Sequence, residues 1–348
     1  MTGRLYLDWN ASAPLRPEAR TAMVAAMELT GNASAVHAEG RAVRAAIETA
    51  RAQVAAALGA EGADIVFTSG ATEAAALACV GRDLHCGGIE HDAVAAWCRA
   101  DLPVDAKGRV SVTDPACTAL QLANSETGIV QELPEGLAVS DLTQGFGKLP
   151  FAFNWLGCAM GLVSAHKLGG PAGIGALVLR AGCDVSAQLR GGGQEMGRRA
   201  GTENLIGIVG FGAAAEAAAR DLEAGCWEEV AEIRNILETA LEAECPDIMS
   251  VGQGARRLPN TLCLVAPGWK GETQVMTMDL AGFAVSAGSA CSSGKVTASR
   301  VLKAMGFDDL AAGSALRISL GPGLERVDVL RFAESFSAAW KRGRARLK

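Results

Sequence analysis

The sequence predicts an α/β protein with a mainly parallel sheet, followed by a smaller α+β unit. Three observations support this fold class. The chain has 348 residues, 49% of them hydrophobic, which is enough to bury a large core. Segments of helical periodicity alternate with short β-branched runs through the first two thirds. After Gly225 the order of predicted helices and strands changes.

The first part contains short apolar runs that we interpret as strands: Asp64–Thr68, Ala119–Ala123, Ala138–Asp141, Gly161–Ala165 and Ile174–Leu179. Alanine-rich helices lie around them, including Arg41–Leu58 and Thr202–Ala224. Gly59 and Gly225 follow these two helices. Glycine suits that position because it readily adopts left-handed backbone angles.

The second part is predicted to alternate helix and strand before a final helix. Its elements are a helix over Trp227–Ala243, a strand over Thr261–Val265, a helix over Gln274–Leu280, and strands over Ala284–Ser286 and Ala315–Leu320. We therefore expect a large domain over 15–225 and a small domain formed by 1–14 and 226–348. No repeat or low-complexity linker marks the boundary.

Composition and charge exclude several functions. A net charge of −6 and a pI near 5.4 provide no broad positive field for nucleic acid, and the basic end Lys341–Lys348 is short. The longest apolar stretch, Leu205–Ala219, is too short to cross a bilayer. Ten scattered cysteines without a signal peptide indicate reduced thiols in the cytoplasm. No Cys-x-x-Cys pair is present, and the histidines lack metal-ligand spacing, so we expect no metal site.

Polar residues stand where predicted strands end. Lys167 follows a strand and precedes a glycine-rich turn, so we expect it in a crevice, although most lysines are solvated surface charges. Ser69–Glu73 leads a strand into a helix, and such a turn suits a phosphate or is simply a helix cap. Asp141 ends another strand, where an α/β sheet binds ligands or where an ordinary turn begins. His91 precedes a helix, and capping explains its neighbours better than its ring.

Together these residues match the requirements of pyridoxal 5'-phosphate (PLP). Its phosphate needs a helix N-terminus, its ring nitrogen needs an acidic partner and its aldehyde needs an amine, while the flat ring of His91 can stack on it. The competing nucleotide motifs are incomplete. The glycines near Gly173 and Gly210 lack the third glycine of a nicotinamide site, and Ser293–Val296 lacks the last residue of a P-loop.

From Leu5–Asp8 to Arg317–Gly321 the chain resembles the class V enzymes among the fold-type I PLP-dependent transferases, and within them the cysteine desulfurases of the NifS and IscS kind. The resemblance implies a seven-stranded type of sheet in the large domain. It implies that Lys167 holds the cofactor as an imine, Asp141 faces the ring nitrogen, Gln144 faces the ring hydroxyl and His91 stacks. The further cofactor contacts that it implies are Ala71, Thr72, Asn124, Ser125, Ser164, His166 and, across a homodimer, Thr202.

The resemblance also identifies a substrate site and a sulfur acceptor. Asn32 and Arg317 match positions that hold the carboxylate of L-cysteine, a task that suits the planar guanidinium fork. Cys291, within Ser286–Gly294, matches the cysteine that receives sulfur as a persulfide. Its small neighbours would let the thiol travel between substrate and acceptor. Without the resemblance, an inert buried thiol would be the simpler interpretation.

The implied activity is conversion of L-cysteine to L-alanine, with sulfur passed on for iron–sulfur cluster or other sulfur-compound synthesis. Lys167 and His91 would move the protons. Selenocysteine lyase and a small-amino-acid class V aminotransferase are the alternatives with the same cofactor residues. A catalytically idle sulfur carrier or assembly platform is the alternative that is not an enzyme.

Several positions depart from the family pattern. Ser125 stands where a second asparagine is frequent, and Gln194 stands where histidine is frequent. The stretches His91–Asn124 and Gln131–Asp141 are short, and so is the tail after Leu347. Family members dock iron–sulfur scaffold proteins partly through that tail, so the departures bear on the choice of partner.

Overall fold

The computed structural model describes residues 3–288 and 298–345, and it contains β1 to β12 and α1 to α10 within those ranges. The strands are β1 (Leu5–Tyr6), β2 (Asp64–Thr68), β3 (His85–Gly87), β4 (Arg99–Leu102), β5 (Val139–Asp141), β6 (Met160–Ser164), β7 (Gly175–Leu179), β8 (Met249–Val251), β9 (Thr261–Val265), β10 (Phe283–Ala284), β11 (Ser286–Ala287) and β12 (Ala315–Ser319). The helices are α1 (Pro17–Met27), α2 (Ala38–Leu58), α3 (Ala71–Cys79), α4 (Asp92–Ala95), α5 (Leu205–Glu223), α6 (Cys226–Glu244), α7 (Gly271–Leu280), α8 (Arg300–Ala304), α9 (Asp309–Ala312) and α10 (Arg326–Ala345).

The main sheet has the order β2, β7, β6, β5, residues 118–122, β3 and β4 in the described part of the chain. Residues 118–122 join its two halves, because Ala119 pairs in parallel with Val139 and Thr118 pairs in parallel with His85. β5 and β6 are parallel, and so are β3 and β4, whereas β7 is antiparallel to both β2 and β6. Parallel pairing therefore predominates, and the α/β fold class expected from the sequence is confirmed.

The predicted strands agree with the structure most closely where the apolar run is continuous. Asp64–Thr68 and Thr261–Val265 form strands with the predicted limits. Ala119–Ala123 pairs only through isolated bridges. The predicted strand Ala284–Ser286 is divided at Val285, because β10 pairs with β1 whereas β11 pairs with β12.

Capping side chains determine where the two long helices of the first part begin. α2 begins three residues before the predicted start, since the ring of His37 accepts a hydrogen bond from the backbone N–H of Gly40. α5 begins later than predicted, after Asn204, whose side chain accepts from the N–H of Gly207. Gly59 ends α2 in the left-handed conformation, as expected for glycine at that position.

The chain builds separate apolar clusters on the two sheets. One cluster lies between α2, α5 and the main sheet and includes Phe153 and Phe211. Another combines Leu7 with residues 227–340 on the antiparallel sheet of β11, β12, β9 and β8. The N-terminal residues thus pack with the C-terminal part, which supports the predicted division into 15–225 and the remainder. That division stays a prediction.

Within residues 3–288 and 298–345, no helix combines the length and apolar character needed to cross a membrane.

Candidate active site

A cavity of about 340 Å³ lies where β5 and β6 end and α3 begins. Most of the site residues predicted from the sequence line this cavity: Ala71, Thr72, His91, Ser125, Asp141, Gln144, Ser164, His166, Lys167 and Arg317. A larger cavity, of about 690 Å³, lies beside Arg51 and Glu195 and is lined by none of them. The smaller cavity is therefore the candidate active site.

The first turn of α3 has no side-chain cap. The helix follows Gly70, and Ala71 and Thr72 contribute to the cavity wall. Glu73 accepts a hydrogen bond from the N–H of Ser69 at 2.7 Å. This is the contact expected if the turn is a helix cap. Although burial opposes ionisation, hydrogen bonds from Arg199 and Ser69 lower the pKa of Glu73. The uncapped N–H groups of the first turn, at the positive end of the helix dipole, suit an anion such as a phosphate.

A close backbone approach holds this helix start against the sheet. A Cβ atom at Gly175 in β7 would lie 2.5 Å from the carbonyl oxygen of Val163 and 2.8 Å from the Cα of Gly70. No larger residue fits without moving the backbone on one side. Glycine at 175 therefore allows the turn before α3 to sit directly on β7 and beside Ser164 at the end of β6.

Lys167 ends a 3-10 turn, Ala165–Lys167, that follows β6. Its Nζ donates to the carbonyl oxygens of Asn10 at 2.6 Å and Ala11 at 2.9 Å. The amine therefore lies against the N-terminal segment at the cavity wall. The neighbouring His166 has its Nδ1 3.4 Å from Ser12 Oγ. Burial, with the positive charges of Lys167 and Lys148, lowers the pKa of His166 to about 4, so its ring is neutral near pH 7.

Two carboxyl groups near the cavity differ in their environment. Asp141, at the end of β5, is half-buried and accepts from the N–H of Thr143 at 2.9 Å. Glu90 is 1% exposed, and its Oε1 accepts from the N–H of Gln121. Burial, together with the charge of Asp141, raises the pKa of Glu90 well above its ordinary value. Asp141 is therefore the better of the two carboxylates for pairing with a cationic ligand group.

The ring of His91 is itself a helix cap. Its Nδ1 accepts a hydrogen bond from the backbone N–H of Ala93 at 3.1 Å, at the start of α4. The interpretation that capping explains only the neighbours of this ring is therefore wrong. Because Nδ1 is the acceptor, the neutral ring carries its proton on Nε2. His91 lines the cavity as well, so a single ring both caps α4 and contributes to the site.

Arg317 reaches the cavity from β12 with its side chain 3% exposed. One terminal nitrogen donates to Asp8 at 2.7 Å and the other donates to the carbonyl oxygen of Ser125 at 3.1 Å. Its Nε is buried and has no hydrogen-bond partner among the described residues. A buried guanidinium with an unused donor favours a ligand oxygen at this end of the cavity.

The remaining predicted site residues lie elsewhere. Asn124 is 1% exposed, and its amide is engaged by the backbone: Oδ1 accepts from Glu126 and Thr127, and Nδ2 donates to Ile89. Asn32 is exposed, and its side chain accepts from the N–H of Ser34. Thr202 lines a separate cavity of about 220 Å³. Cys291 lies outside the described residues. The roles assigned to these residues stay predictions.

Sequence reasoning missed two buried polar residues beside the cavity. Asn10 is fully buried, and its backbone N–H and side-chain amide donate to Ser319 Oγ and Thr261 Oγ1. Lys148 is 1% exposed and donates to Asn10 Oδ1 and Gln144 Oε1. The only local signal for Lys148 is its place in an apolar stretch four residues after Gln144. Asn10 has no local signal, because its partners are far away in the sequence.

The groups that surround the cavity fit PLP. An uncapped helix start beside Ser164 can take the phosphate, Asp141 can take the protonated ring nitrogen, and Lys167 supplies the amine. The neutral His166 can donate or accept a hydrogen bond without adding charge.

Comparison with known proteins gives a consistent result. The model of the family described as Aminotransferase class-V matches residues 5–94 and 108–332. A cysteine desulfurase of Cereibacter sphaeroides is 39% identical over 369 residues, covering 95% of this chain and 94% of the relative. Cysteine desulfurase IscS of Dictyoglomus turgidum is 34% identical, covering 92% and 90%. Among solved structures, a NifS-like protein from Rickettsia africae has a TM-score of 0.88 at 28% identity, covering 97% and 99%. SspA in complex with cysteine has a TM-score of 0.74 at 28% identity, covering 91% and 99%.

Proposed function

The chain belongs to the class V aminotransferase family, and from this premise we propose that it is a PLP-dependent cysteine desulfurase that forms L-alanine and passes sulfur to Cys291. One observation carries the proposal beyond the family: a single cavity brings together the amine of Lys167, the carboxylate of Asp141 and the guanidinium of Arg317. These are an attachment point, a ring partner and a carboxylate receptor for an amino acid.

The cofactor supplies an electron sink for the electrons released at the α-carbon of the substrate. Asp141 would keep the ring nitrogen protonated, and Gln144 would face the ring hydroxyl. The start of α3, with Thr72, Ser164 and the neutral His166, holds the phosphate. Lys167 Nζ anchors the cofactor and afterwards carries a proton to and from the substrate. His91 would stack on the ring, and its Nε2 would be the atom that moves a second proton, since Nδ1 caps α4.

Substrate binding is assigned to Arg317 and Asn32, which receive the carboxylate of L-cysteine. The unused Nε of Arg317 supports this assignment, because a buried donor without an acceptor is unfavourable until a ligand supplies one. The thiolate of Cys291 attacks the sulfur of the substrate. A sulfur–sulfur bond forms, the bond between that sulfur and Cβ breaks, and Cβ takes up a proton. L-cysteine and a thiol thus yield L-alanine and a persulfide without an outside oxidant.

The central experiment replaces Cys291 with alanine. Cys291→Ala should retain the visible absorbance of bound PLP, because the cofactor groups are intact, but should lose alanine formation from L-cysteine in the presence of a thiol. Cys117→Ala is the matched control, since Cys117 is exposed and lines none of the described cavities. Lys167→Ala should be colourless after gel filtration.

Continued turnover by Cys291→Ala would move the sulfur chemistry to another residue and contradict the proposal. Amino transfer from L-cysteine to a keto acid by the wild type would indicate an aminotransferase. A much higher turnover of L-selenocysteine than of L-cysteine that survives Cys291→Ala would indicate a lyase.

The protein is further proposed to be a cytoplasmic homodimer that hands sulfur to an acceptor protein such as an iron–sulfur scaffold. Thr202 supports the dimer, because it lies in a separate cavity and can serve the phosphate of a second copy. The described cysteines are all free, as a reducing compartment requires. Light scattering tests the dimer, with an expected mass of twice 35.7 kDa. A monomer that binds PLP with full affinity would refute the role of Thr202.

A further inference from the structure

A buried lysine lies next to the candidate active site without lining its cavity. Lys148 is 1% exposed, and its Nζ donates to Gln144 Oε1 at 3.0 Å and to Asn10 Oδ1 at 3.2 Å. Gln144 lines the cavity, four residues earlier in the same loop. Burying an amine is energetically unfavourable. Lys148 is nevertheless buried where it contacts Gln144, a residue of the site, and does not reach the cavity itself.

The contacts of Lys148 are those of an amine that forms hydrogen bonds and no ion pair. Within 3–288 and 298–345, no carboxylate oxygen lies within 4 Å of its Nζ. Burial, with the positive charges of Lys167 and Arg317, lowers the pKa of Lys148 well below its ordinary value. His166 is a further titratable group that the charge of Lys148 affects, since this charge contributes to the lowered pKa of His166. The two acceptors of its hydrogen bonds are Gln144 Oε1 and Asn10 Oδ1.

These contacts determine the orientation of the Gln144 amide. Oε1 accepts from Lys148, while Nε2 donates to the backbone oxygen of Asn10 at 3.0 Å. A flipped amide would set Nε2 against the N–H groups of Lys148 and Oε1 against the oxygen of Asn10, so both contacts would become repulsive. With Oε1 turned towards Lys148, the second N–H of Nε2 is the donor that Gln144 can present to a ligand.

Asn10 closes the arrangement from the other side. Its Oδ1 accepts from Asn260 Nδ2 at 3.0 Å as well as from Lys148, and its backbone oxygen accepts from Lys167 at 2.6 Å. The side-chain amide of Asn10 is therefore held by Asn260 and by Thr261 of β9. Its Oδ1 and backbone oxygen are fixed acceptors for Lys148 and Gln144. The side chain of Lys148 is fully enclosed by protein, so its amine has no access to solvent as an alternative hydrogen-bond partner.

We infer that Lys148 is a positioning residue that acts through Gln144, by holding the amide so that its N–H faces the ring oxygen of the bound cofactor. The inference rests on the proposed function, because it takes PLP as the ligand. Lys148 touches neither cofactor nor substrate in this arrangement. Its effect is to make Gln144 a donor that stabilises negative charge on the ring oxygen.

The test is the pH titration of the visible absorbance of bound PLP in Lys148→Met, a variant of similar length with an apolar end. Loss of an oriented hydrogen bond to the charged ring oxygen should move the midpoint by about 0.5 to 1 pH unit. In the background of Gln144→Ala, the same substitution should move the midpoint no further. Lys303→Met is the control, since Lys303 is an exposed lysine paired with Asp309, and its midpoint should equal that of the wild type.

The unfolding free energy of each cofactor-free variant is measured in parallel, which separates a structural effect from a spectroscopic one. An unchanged midpoint in Lys148→Met that retains the visible band would overturn this inference alone. An equal shift with and without Gln144 would overturn it too, because the lysine would then act by another route. A wild-type protein that shows no visible band with PLP would overturn the proposed function as well.

Should Lys148→Met fail to fold, Lys148→Gln retains an amide donor for the same acceptors. Its midpoint should lie between those of the wild type and Gln144→Ala. A midpoint displaced beyond that of Gln144→Ala would contradict action through Gln144.

Discussion

Replacing Arg317 with lysine should weaken the binding of L-cysteine while leaving the cofactor in place. The three nitrogens of the guanidinium differ in their hydrogen bonds. One terminal nitrogen donates to Asp8 at 2.7 Å and the other donates to the backbone oxygen of Ser125 at 3.1 Å. The buried Nε has no partner among the described residues. A lysine keeps the positive charge for Asp8 but has no planar fork. The donor assigned to the substrate carboxylate is therefore lost, while the buried charge of Asp8 remains compensated.

The size of the effect follows from the contact that is removed. A hydrogen bond between charged groups contributes about 1.5 to 3 kcal/mol when its partner is buried. Since 1.4 kcal/mol corresponds to a factor of ten, kcat/KM for L-cysteine should fall about 10- to 100-fold. Most of the change should appear in KM, because the carboxylate is held in both the bound substrate and the transition state.

The assay follows alanine formation over a range of cysteine concentrations, together with the spectral change of bound PLP on addition of L-alanine. Arg257→Lys is the matched control. Arg257 forms a similarly buried pair with Glu238, at 2.7 Å, and lines none of the described cavities. A kcat/KM for Arg317→Lys within twofold of the control would refute the assignment of the substrate carboxylate to Arg317.

Three further predictions concern stability. Phe211→Ala should lower the unfolding free energy by about 3 to 5 kcal/mol in urea, since this ring is fully buried against Phe67 and Phe146, whereas Met276→Ala, at a side chain 62% exposed, should change it little. Burial raises the pKa of Glu126 from 4.5 to about 7, so the folded state retains a proton that the unfolded state releases. The wild type should lose stability relative to Glu126→Gln as the pH rises from 4.5 to 7, and parallel curves would contradict this. The pKa of His166 is lowered from 6.5 to about 4, so its stabilising effect is present above pH 6.5 and is lost as the pH falls towards 4. Chemical denaturation of His166→Asn should show a flatter acid limb than the wild type.

Local patterns were sufficient for much of the fold. The runs at 64–68 and 261–265 have few alternative structures, because each is largely apolar and too short for a helix. The segment at 119–123 pairs only through isolated bridges, since its partners alternate between β3, β5 and residues 129–130. Pairing partners of this kind are a tertiary property that a sequence window does not contain.

Some residues of the candidate site were likewise predicted from local patterns, and others were not. Lys167, Asp141 and the start of α3 were predicted because residues at the ends of parallel strands converge on one edge of a sheet. Lys148 and Asn10 were not predicted, because their importance comes from burial and from partners such as Ser319, 309 residues away from Asn10. The helix-capping role of the His91 ring was also missed, since histidine is an uncommon helix cap.

The contacts of the N-terminal segment affect when, during synthesis, the enzyme can bind its cofactor. Leu5 pairs with Phe283, and Asn10 donates to Ser319, so residues 5 and 10 leave the ribosome well before the residues that they contact. The backbone oxygen of Asn10, which accepts a hydrogen bond from Lys167, is not held in place until Ser319 has been synthesised. A nascent chain halted before residue 319 should therefore bind vitamin B6 poorly, and a chain long enough for β12 to leave the ribosome should bind it.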